Sequence, residues 1–254
     1  MKKVFFYTLG CKLNFAETSH ISKLLVDNGF SVAHRGEAAD VCIVNTCSVT
    51  DTADRKCRQA IHKIVSDNPN AFIIVTGCYA QVNPSEIEQI DGVDLVLGAK
   101  EKFDILKVMH LLESKEQFER IQVDDIKSNN SFTPIFSAGD RYFLKVQDGC
   151  DYYCTYCTIP FARGKSRSAS VAHTMQTIDR ALEQGAKEII LTGVNIGDFG
   201  RGSNERFIDL VKAIDKLTAE VRVRISSVEP NLLEDAIIDI VASSKIIAPH
   251  FHIP

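Results

Sequence analysis

The chain has 254 residues, of which 45% are hydrophobic and 24% charged, and its formal net charge is −4. These values are typical of a globular protein with two domains, and eight cysteines in this length are too few for a disulfide scaffold. No apolar run reaches the roughly 18 residues of a membrane-spanning helix, and the start lacks a signal-peptide core. We therefore expect a cytoplasmic protein without a membrane partner. An RNA partner would need a local basic patch or a separate domain to attract it, since the overall charge is acidic.

Residues 1–120 alternate β-branched runs with amphipathic stretches, which predicts an α/β domain with an open parallel sheet flanked by helices, flavodoxin-like or Rossmann-like. One helix should begin just after Cys11, where Asn14 and Glu17 have the spacing of a capping box. Others should begin near Thr50 and at Pro84. The predicted strands are Lys3–Thr8, a short one near Phe30–Ala33, Val41–Asn45, Phe72–Thr76 and Leu95–Leu97.

Residues 121–140 are polar and rich in turn residues, which predicts a linker. Residues 141–254 then alternate strands and helices again, as in the first part of an incomplete (β/α) barrel, so we expect a fragment of a longer protein. The predicted strands are Tyr142–Val146, Glu188–Leu191, Arg222–Ile225 and Pro249–Ile253, and the helices centre on Ile178, Leu210 and Ile237.

Three cysteines of the first domain, Cys11, Cys47 and Cys78, each follow a predicted strand and precede a helix. In a parallel sheet the carboxyl ends of the strands share one edge, so these thiols can converge and bind metal. Taken singly, each could be an ordinary loop cysteine. Cys42 lies within a strand and Cys57 within a helix, which favours buried structural thiols.

The second domain opens with Cys150, Cys154 and Cys157 within eight residues, a C-x3-C-x2-C arrangement. Three thiolates can hold three irons of a cubane cluster and leave the fourth iron open for reaction. A zinc site completed by His173 or His250 is the alternative, because C-x2-C pairs often bind zinc.

This motif after the first strand of a βα series resembles the radical S-adenosylmethionine (SAM) enzymes. The resemblance implies that Cys150, Cys154 and Cys157 hold a catalytic [4Fe–4S] cluster and that SAM binds its open iron to supply a radical. It also implies that Tyr156 packs beside the cluster and adenine. The positions that it assigns to SAM contacts are Thr192, Gly193, Asn195, Ser226 and Glu229. Loop capping is the alternative role for Thr192, Asn195 and Ser226.

The two cysteine trios together, with the segment "GCDYYCTYCTIPFARGKSRS", resemble the methylthiotransferase family. That resemblance implies a second [4Fe–4S] cluster on Cys11, Cys47 and Cys78, a tRNA substrate and an external electron donor. The motif Gly10-Cys11-Lys12-Leu13-Asn14 is similar to the branch acting on N6-threonylcarbamoyladenosine at position 37 of the anticodon loop. The family's C-terminal RNA-binding domain has no match in this chain.

The same segment contains three basic residues, Arg163, Lys165 and Arg167, which we expect to contact phosphate or the threonylcarbamoyl carboxylate. A solvated surface loop is the alternative. Branches acting on N6-isopentenyladenosine or a ribosomal-protein aspartate, a non-catalytic iron–sulfur electron carrier and a zinc-stabilised nucleotide-binding protein remain competing functions. Against the last, no predicted strand is followed by G-x-G-x-x-G or a P-loop.

Overall fold

The computed structural model describes residues 1–114, 118–128, 131–137 and 141–254. They form two compact units. The first comprises Met1–Asn129 and Tyr153–Gly164, and the second comprises Asn130–Tyr152 and Lys165–Pro254. A segment just beyond Cys150 therefore belongs to the first unit. No helix in the described part of the chain is long and apolar enough to cross a bilayer.

The first unit contains a parallel sheet. Its described strands are β1 (Lys3–Thr8), β2 (Ser31–Val32), β3 (Val41–Thr46), β4 (Phe72–Gly77), β5 (Leu95–Leu97) and β6 (Ile121–Gln122). They run in the order β2-β1-β3-β4-β5-β6. This is a flavodoxin-like order, one of the two arrangements that the sequence left open. Thr8 pairs with Asn45, and Asn45 pairs with Thr76, so the ends of β1, β3 and β4 lie level along one edge.

Helices cover the two faces of this sheet and present apolar stripes to it. Ile21 and Leu25 pack with Val4 and Ile43 on one face, and Ile61 packs with Val44 and Val75 on the other. The helices are α1 (Lys12–Asp27), α2 (Asp51–Asp67), α3 (Cys78–Val82), α4 (Pro84–Glu88), α5 (Ile105–Ser114) and α6 (Ile159–Arg163).

The predicted helix starts are confirmed, but the predicted capping box is wrong. Cys11 is the N-cap of α1, and its side chain makes no capping hydrogen bond. Asn14 and Glu17 lie within the helix on its buried face, where both are at most 1% exposed. Their side chains bond with residues distant in sequence, and local capping cannot compete with those partners once the groups are buried. By contrast, Thr50 caps α2 by accepting a hydrogen bond from the Ala53 amide.

The strands of the second unit are β7 (Ile135–Phe136), β8 (Tyr142–Lys145), β9 (Gln147–Asp148), β10 (Arg167–Ser168), β11 (Glu188–Thr192) and β12 (Arg222–Ile225). Four of them form a sheet in the order β12-β11-β8-β7, in which β8, β11 and β12 are parallel and β7 is antiparallel. Helices alternate with its parallel strands, as predicted for the first part of a barrel. The helices are α7 (Val171–Glu183), α8 (Phe207–Asp215) and α9 (Asp235–Ser243).

The predicted strand Pro249–Ile253 is wrong. The segment makes only an isolated bridge, between His252 and Ser227. The His250 amide donates to the carbonyl of Ala248, 2.7 Å away, and proline has no amide to donate, so a regular ladder cannot form here.

The predicted linker contains two short strands that its polar composition concealed. Ile121–Gln122 pairs with β5, and Ile135–Phe136 pairs with β8. Residues 129–130 and 138–140 of this stretch lie outside the described residues.

Candidate functional site

Cys11, Cys47 and Cys78 lie at the carboxyl edge of the first sheet. Cys47 directly follows β3, Cys78 is the first residue of α3, and Cys11 precedes α1. Cys47 and Cys78 are buried and Cys11 is exposed. A Cβ added to Gly10 would lie 2.7 Å from the Cys47 Cβ and 2.9 Å from its Sγ, so the loop carrying Cys11 runs directly beside Cys47. The structure thus brings these three loops together, as the topology predicted.

Two polar side chains tie these loops to one another. Asn14 Nδ2 donates to the carbonyls of Leu9 and Thr46, at 2.8 Å and 2.9 Å, and so joins the loops of the first and second cysteine. Thr46 Oγ1 donates to the Thr76 carbonyl at 2.5 Å and accepts from the Ala80 amide at 3.4 Å, which joins the second and third. Side-chain hydrogen bonds therefore hold the cysteine loops in place.

Burial controls the protonation of the Cys47 and Cys78 thiols. It raises the pKa of Cys47 to about 12, with smaller contributions from Cys78 and Cys11. It also raises the pKa of Cys78, while the positive charges of Arg163 and Lys102 oppose that rise. Since the thiolate is the form that ligates metal, binding of a cluster by these residues would release protons.

Arg163 is buried inside the first unit, which corrects the expectation of an exposed basic side chain. It is 2% exposed, and its guanidinium lies 3.0 Å from Glu17 Oε1 and 2.6 Å from Asn14 Oδ1. The Lys102 ammonium lies 2.5 Å from Glu17 Oε2. A guanidinium at this depth needs a carboxylate partner, and Glu17 supplies it. Arg163 is therefore part of a buried ion-pair cluster.

The other two basic residues of that segment differ in exposure. Lys165 is exposed. The Arg167 guanidinium lies 3.0 Å from the Asp148 carboxylate, which also lies 2.7 Å from Lys145. Of these three basic residues, Arg163 is buried, Arg167 is half-buried and Lys165 is exposed.

The second cysteine trio lies just beyond β9. Cys150 follows Gly149 in the second unit, and the segment with Cys154 and Cys157 belongs to the first. The Cys157 amide donates to the Cys154 carbonyl at 2.9 Å, which closes a turn between them. Cys154 is exposed, and Cys150 and Cys157 are half-buried. Their assignment to one cluster stays a prediction from their spacing in the sequence.

Three tyrosines of this loop have different surroundings. The Tyr152 hydroxyl donates to Asp198 Oδ1 at 3.4 Å, and Tyr153 packs edge-on against Phe161 with ring centres 5.9 Å apart. Tyr156 is 86% exposed. Its expected packing beside a cofactor therefore stays a prediction.

The loops after β11 and β12 hold most of the residues predicted to contact SAM. Thr192, Asn195 and Ser226 are buried. Asn195 Oδ1 accepts from the Glu229 amide at 3.3 Å, whereas Asn195 Nδ2 and Ser226 Oγ have no hydrogen-bond partner among the described residues. Because buried polar atoms are normally bonded, these two atoms fit a polar ligand at this edge of the second sheet.

Asp198 is a further buried polar residue here, and the sequence did not single it out. Its Oδ1 accepts from Arg201 Nη1 at 3.1 Å, and its Oδ2 has no partner among the described residues. Burial raises the pKa of this carboxyl, although Arg201 and Tyr152 oppose the rise. The sequence feature that could have identified Asp198 is the position of its carboxyl shortly after the end of β11.

Within the described ranges, no three His, Cys, Asp or Glu side chains are grouped so as to hold a metal ion. A cubane cluster distributes three protein thiolates over three irons. Its ligands are therefore more widely spaced than those of a single zinc ion.

Two regions of the chain match known protein families. Residues 3–98 match the uncharacterized protein family UPF0004, and residues 144–253 match the Radical SAM superfamily. These ranges contain the first and second cysteine trios, respectively.

Curated relatives align with nearly the whole chain. The threonylcarbamoyladenosine tRNA methylthiotransferase MtaB of Aquifex aeolicus is 36% identical over 99% of this chain and 62% of its own length. The MtaB of Bacillus subtilis is 37% identical over 100% of this chain and 57% of its own length. The chain is therefore similar to tRNA methylthiotransferases over nearly its whole length. A relative named tRNA-2-methylthio-N(6)-dimethylallyladenosine synthase, from Chloroherpeton thalassium, is 27% identical over 99% of this chain and 57% of its own length.

A solved structure supports the fold of this chain. The radical SAM methyltransferase TsrM of Kitasatospora setae aligns with a TM-score of 0.63 at 12% identity, covering 95% of this chain and 57% of that one. The radical SAM family implies one [4Fe–4S] cluster and SAM. The chain spans about 60% of the length of its first MtaB relatives.

Proposed function

We propose that this chain is part of a tRNA methylthiotransferase that adds a methylthio group to C2 of N6-threonylcarbamoyladenosine at position 37. The observation that carries the proposal is the convergence of Cys11, Cys47 and Cys78 at one sheet edge, in a chain whose residues 144–253 match the Radical SAM superfamily. The MtaB names of the relatives and the Gly-Cys-Lys-Leu-Asn motif support this branch.

Each group of residues has a proposed task. Cys150, Cys154 and Cys157 would hold the cluster that binds SAM, and Cys11, Cys47 and Cys78 would hold a second [4Fe–4S] cluster from which sulfur is delivered. When bound, these groups would supply a radical that removes hydrogen from an inert C–H bond, a sulfur atom for the carbon and, from a second SAM, the methyl group on that sulfur. An external donor would supply electrons. The proposed SAM contacts are Tyr156, Thr192, Gly193, Asn195, Ser226 and Glu229.

The buried, unbonded atoms of Asn195 and Ser226 support SAM binding at the second sheet. Lys165 is the exposed basic residue proposed to contact tRNA phosphate. Arg167 is also proposed to contact it, with a guanidinium that is already paired with Asp148. Arg163 has no substrate role in the proposal, because it is buried against Glu17.

Mass spectrometry of tRNA nucleosides tests the proposal. A strain lacking the gene should lose 2-methylthio-N6-threonylcarbamoyladenosine and keep the isopentenyl counterpart. The wild-type gene should restore the product, whereas one encoding Cys78→Ala or Cys150→Ala should not. Loss of the isopentenyl product instead would assign the other tRNA branch, and no change in either nucleoside would refute the tRNA function.

A further inference from the structure

Gln147 is fully buried in the second unit, at 0% exposure, three residues before Cys150. It is the first residue of β9, which pairs with β10. A neutral amide at this depth must satisfy one acceptor and two donor hydrogens, and its bonds therefore determine how the neighbouring backbone is arranged.

The oxygen of Gln147 binds the loop that follows β11. Oε1 accepts hydrogen bonds from the backbone amides of Val194 and Asn195, at 2.9 Å and 3.0 Å. Gly193 permits this approach, because a Cβ there would lie 2.9 Å from Gln147 Oε1 and 2.7 Å from the Ile196 side chain. One oxygen thus holds two successive amides of the predicted SAM loop.

The nitrogen of Gln147 binds the turn that leads to Cys150. Nε2 donates to the carbonyl of Gly149 at 2.7 Å, to that of Asp148 at 3.1 Å and to Ser166 Oγ at 3.0 Å. Gly149 has a positive φ of 73°, which marks a tight turn immediately before the cysteine. A single side chain therefore joins the backbone before Cys150 to the backbone of residues 194–195.

The Asn195 side chain is fixed as a consequence. Gln147 holds its amide, and the Glu229 amide donates to its Oδ1, which leaves Nδ2 buried and without a partner in the described part of the chain. From this geometry we propose that Gln147 is a positioning residue. It holds the Cys150 turn and the Val194–Asn195 loop in one arrangement, with Asn195 Nδ2 directed at SAM. The SAM part of this inference rests on the proposed function.

Hydrogen exchange of the apo protein tests the positioning without cofactor. In Gln147→Leu, which keeps the size but lacks both hydrogen-bonding functions, the Val194 and Asn195 amides should exchange roughly tenfold faster. In Gln147→Glu, which keeps the acceptor, these amides should stay protected. Gln176→Leu, at an exposed position on α7, is the matched control. Unchanged exchange at Val194 and Asn195 in Gln147→Leu would overturn the proposal.

A titration of SAM into anaerobically reconstituted protein tests the consequence for binding. Gln147→Leu should bind SAM roughly tenfold more weakly. Binding is measured by the change that SAM causes in the electron paramagnetic resonance signal of the reduced cluster. The iron content and melting temperature of Gln147→Leu should match those of Gln176→Leu. If Gln147→Leu does not fold, Ser166→Ala, which removes one acceptor of Nε2, is measured in its place and should also weaken SAM binding. Wild-type affinity in the folded variant would overturn the proposal. Failure of the wild-type protein itself to bind SAM would refute the proposed function and with it the SAM role of Gln147, while the exchange experiment separately tests the Gln147 hydrogen bonds.

Discussion

The Arg163 guanidinium and the Glu17 carboxylate form a buried ion pair at 3.0 Å, with both side chains at most 2% exposed. The two residues are 146 positions apart in the chain. The pair therefore connects α6, which follows Cys157, to α1, which begins just after Cys11.

Replacing Arg163 by methionine should lower the free energy of unfolding by about 3 kcal/mol, because Glu17 loses a buried charge partner. Arg163→Lys should cost less, since the charge is kept although the two-pronged contact is lost. Denaturant unfolding followed by circular dichroism measures both. Arg35→Met, at an exposed position of the same unit, is the control. Equal stability of Arg163→Met and Arg35→Met would show that the ion pair contributes nothing.

Reconstituted wild-type protein should bind about eight irons, four for each cluster. Replacing Cys11, Cys47 and Cys78 together by alanine should leave about four, and so should replacing Cys150, Cys154 and Cys157. Cys42→Ala, a buried thiol within β3, should keep about eight. Iron and acid-labile sulfide analysis measures these contents. About four irons in the wild-type protein would refute the two-cluster proposal, and zinc without sulfide would revive the zinc alternative.

Lys165→Ala should weaken tRNA binding and make it less sensitive to salt, reducing the slope of log K against log salt by about one. Lys216→Ala, at an exposed position after α8, should leave that slope unchanged. Filter binding over a series of salt concentrations measures it. An unchanged slope in Lys165→Ala would remove this residue from the proposed tRNA contacts.

Asp198→Asn should raise the melting temperature near neutral pH. Burial raises the pKa of Asp198, so ionisation of this carboxyl disfavours the folded state. The contribution of the Asp198 carboxyl to the stability of the folded state is complete at pH values below the unfolded-state pKa of about 3.9. That contribution is lost as the pH rises through the raised pKa of the folded state. The advantage of Asp198→Asn should therefore disappear as the pH falls to about 4. Melting curves between these pH values test this, with the exposed Asp239→Asn as control, and a lower melting temperature at neutral pH would contradict it.

Gly77→Ala should destabilise the first unit far more than Gly36→Ala. Gly77 has a φ of +100°, and an added Cβ would lie 2.3 Å from the Thr46 carbonyl oxygen. Gly36 has a φ of +90° with nothing within 4 Å, so its substitution should cost only the left-handed backbone penalty of about 1 kcal/mol. Denaturant unfolding compares the two variants, and similar costs would show that the backbone near Cys78 can move aside.

Local pattern was sufficient to predict most of the elements. The bounds of Lys3–Thr8, Leu95–Leu97 and Arg222–Ile225 agree with the structure, because β-branched runs bounded by turn residues favour strands over helices. The sequence order of strands and helices also placed Cys47 and Cys78 at one edge, since parallel connectivity leaves no other position for residues that follow the strands.

By itself, the sequence determined the parallel sheets, the edge at which the first cysteine trio meets and the spacing of the second. Only the tertiary structure decided the partners of the buried polar side chains. Asn14 and Glu17 have the local spacing of a cap, and Gln147 resembles any polar strand residue. Their hydrogen bonds reach Thr46, Arg163 and Asn195, which come near only when the chain folds. A buried polar group must be bonded wherever a partner is available, and residue type and periodicity do not say where that is.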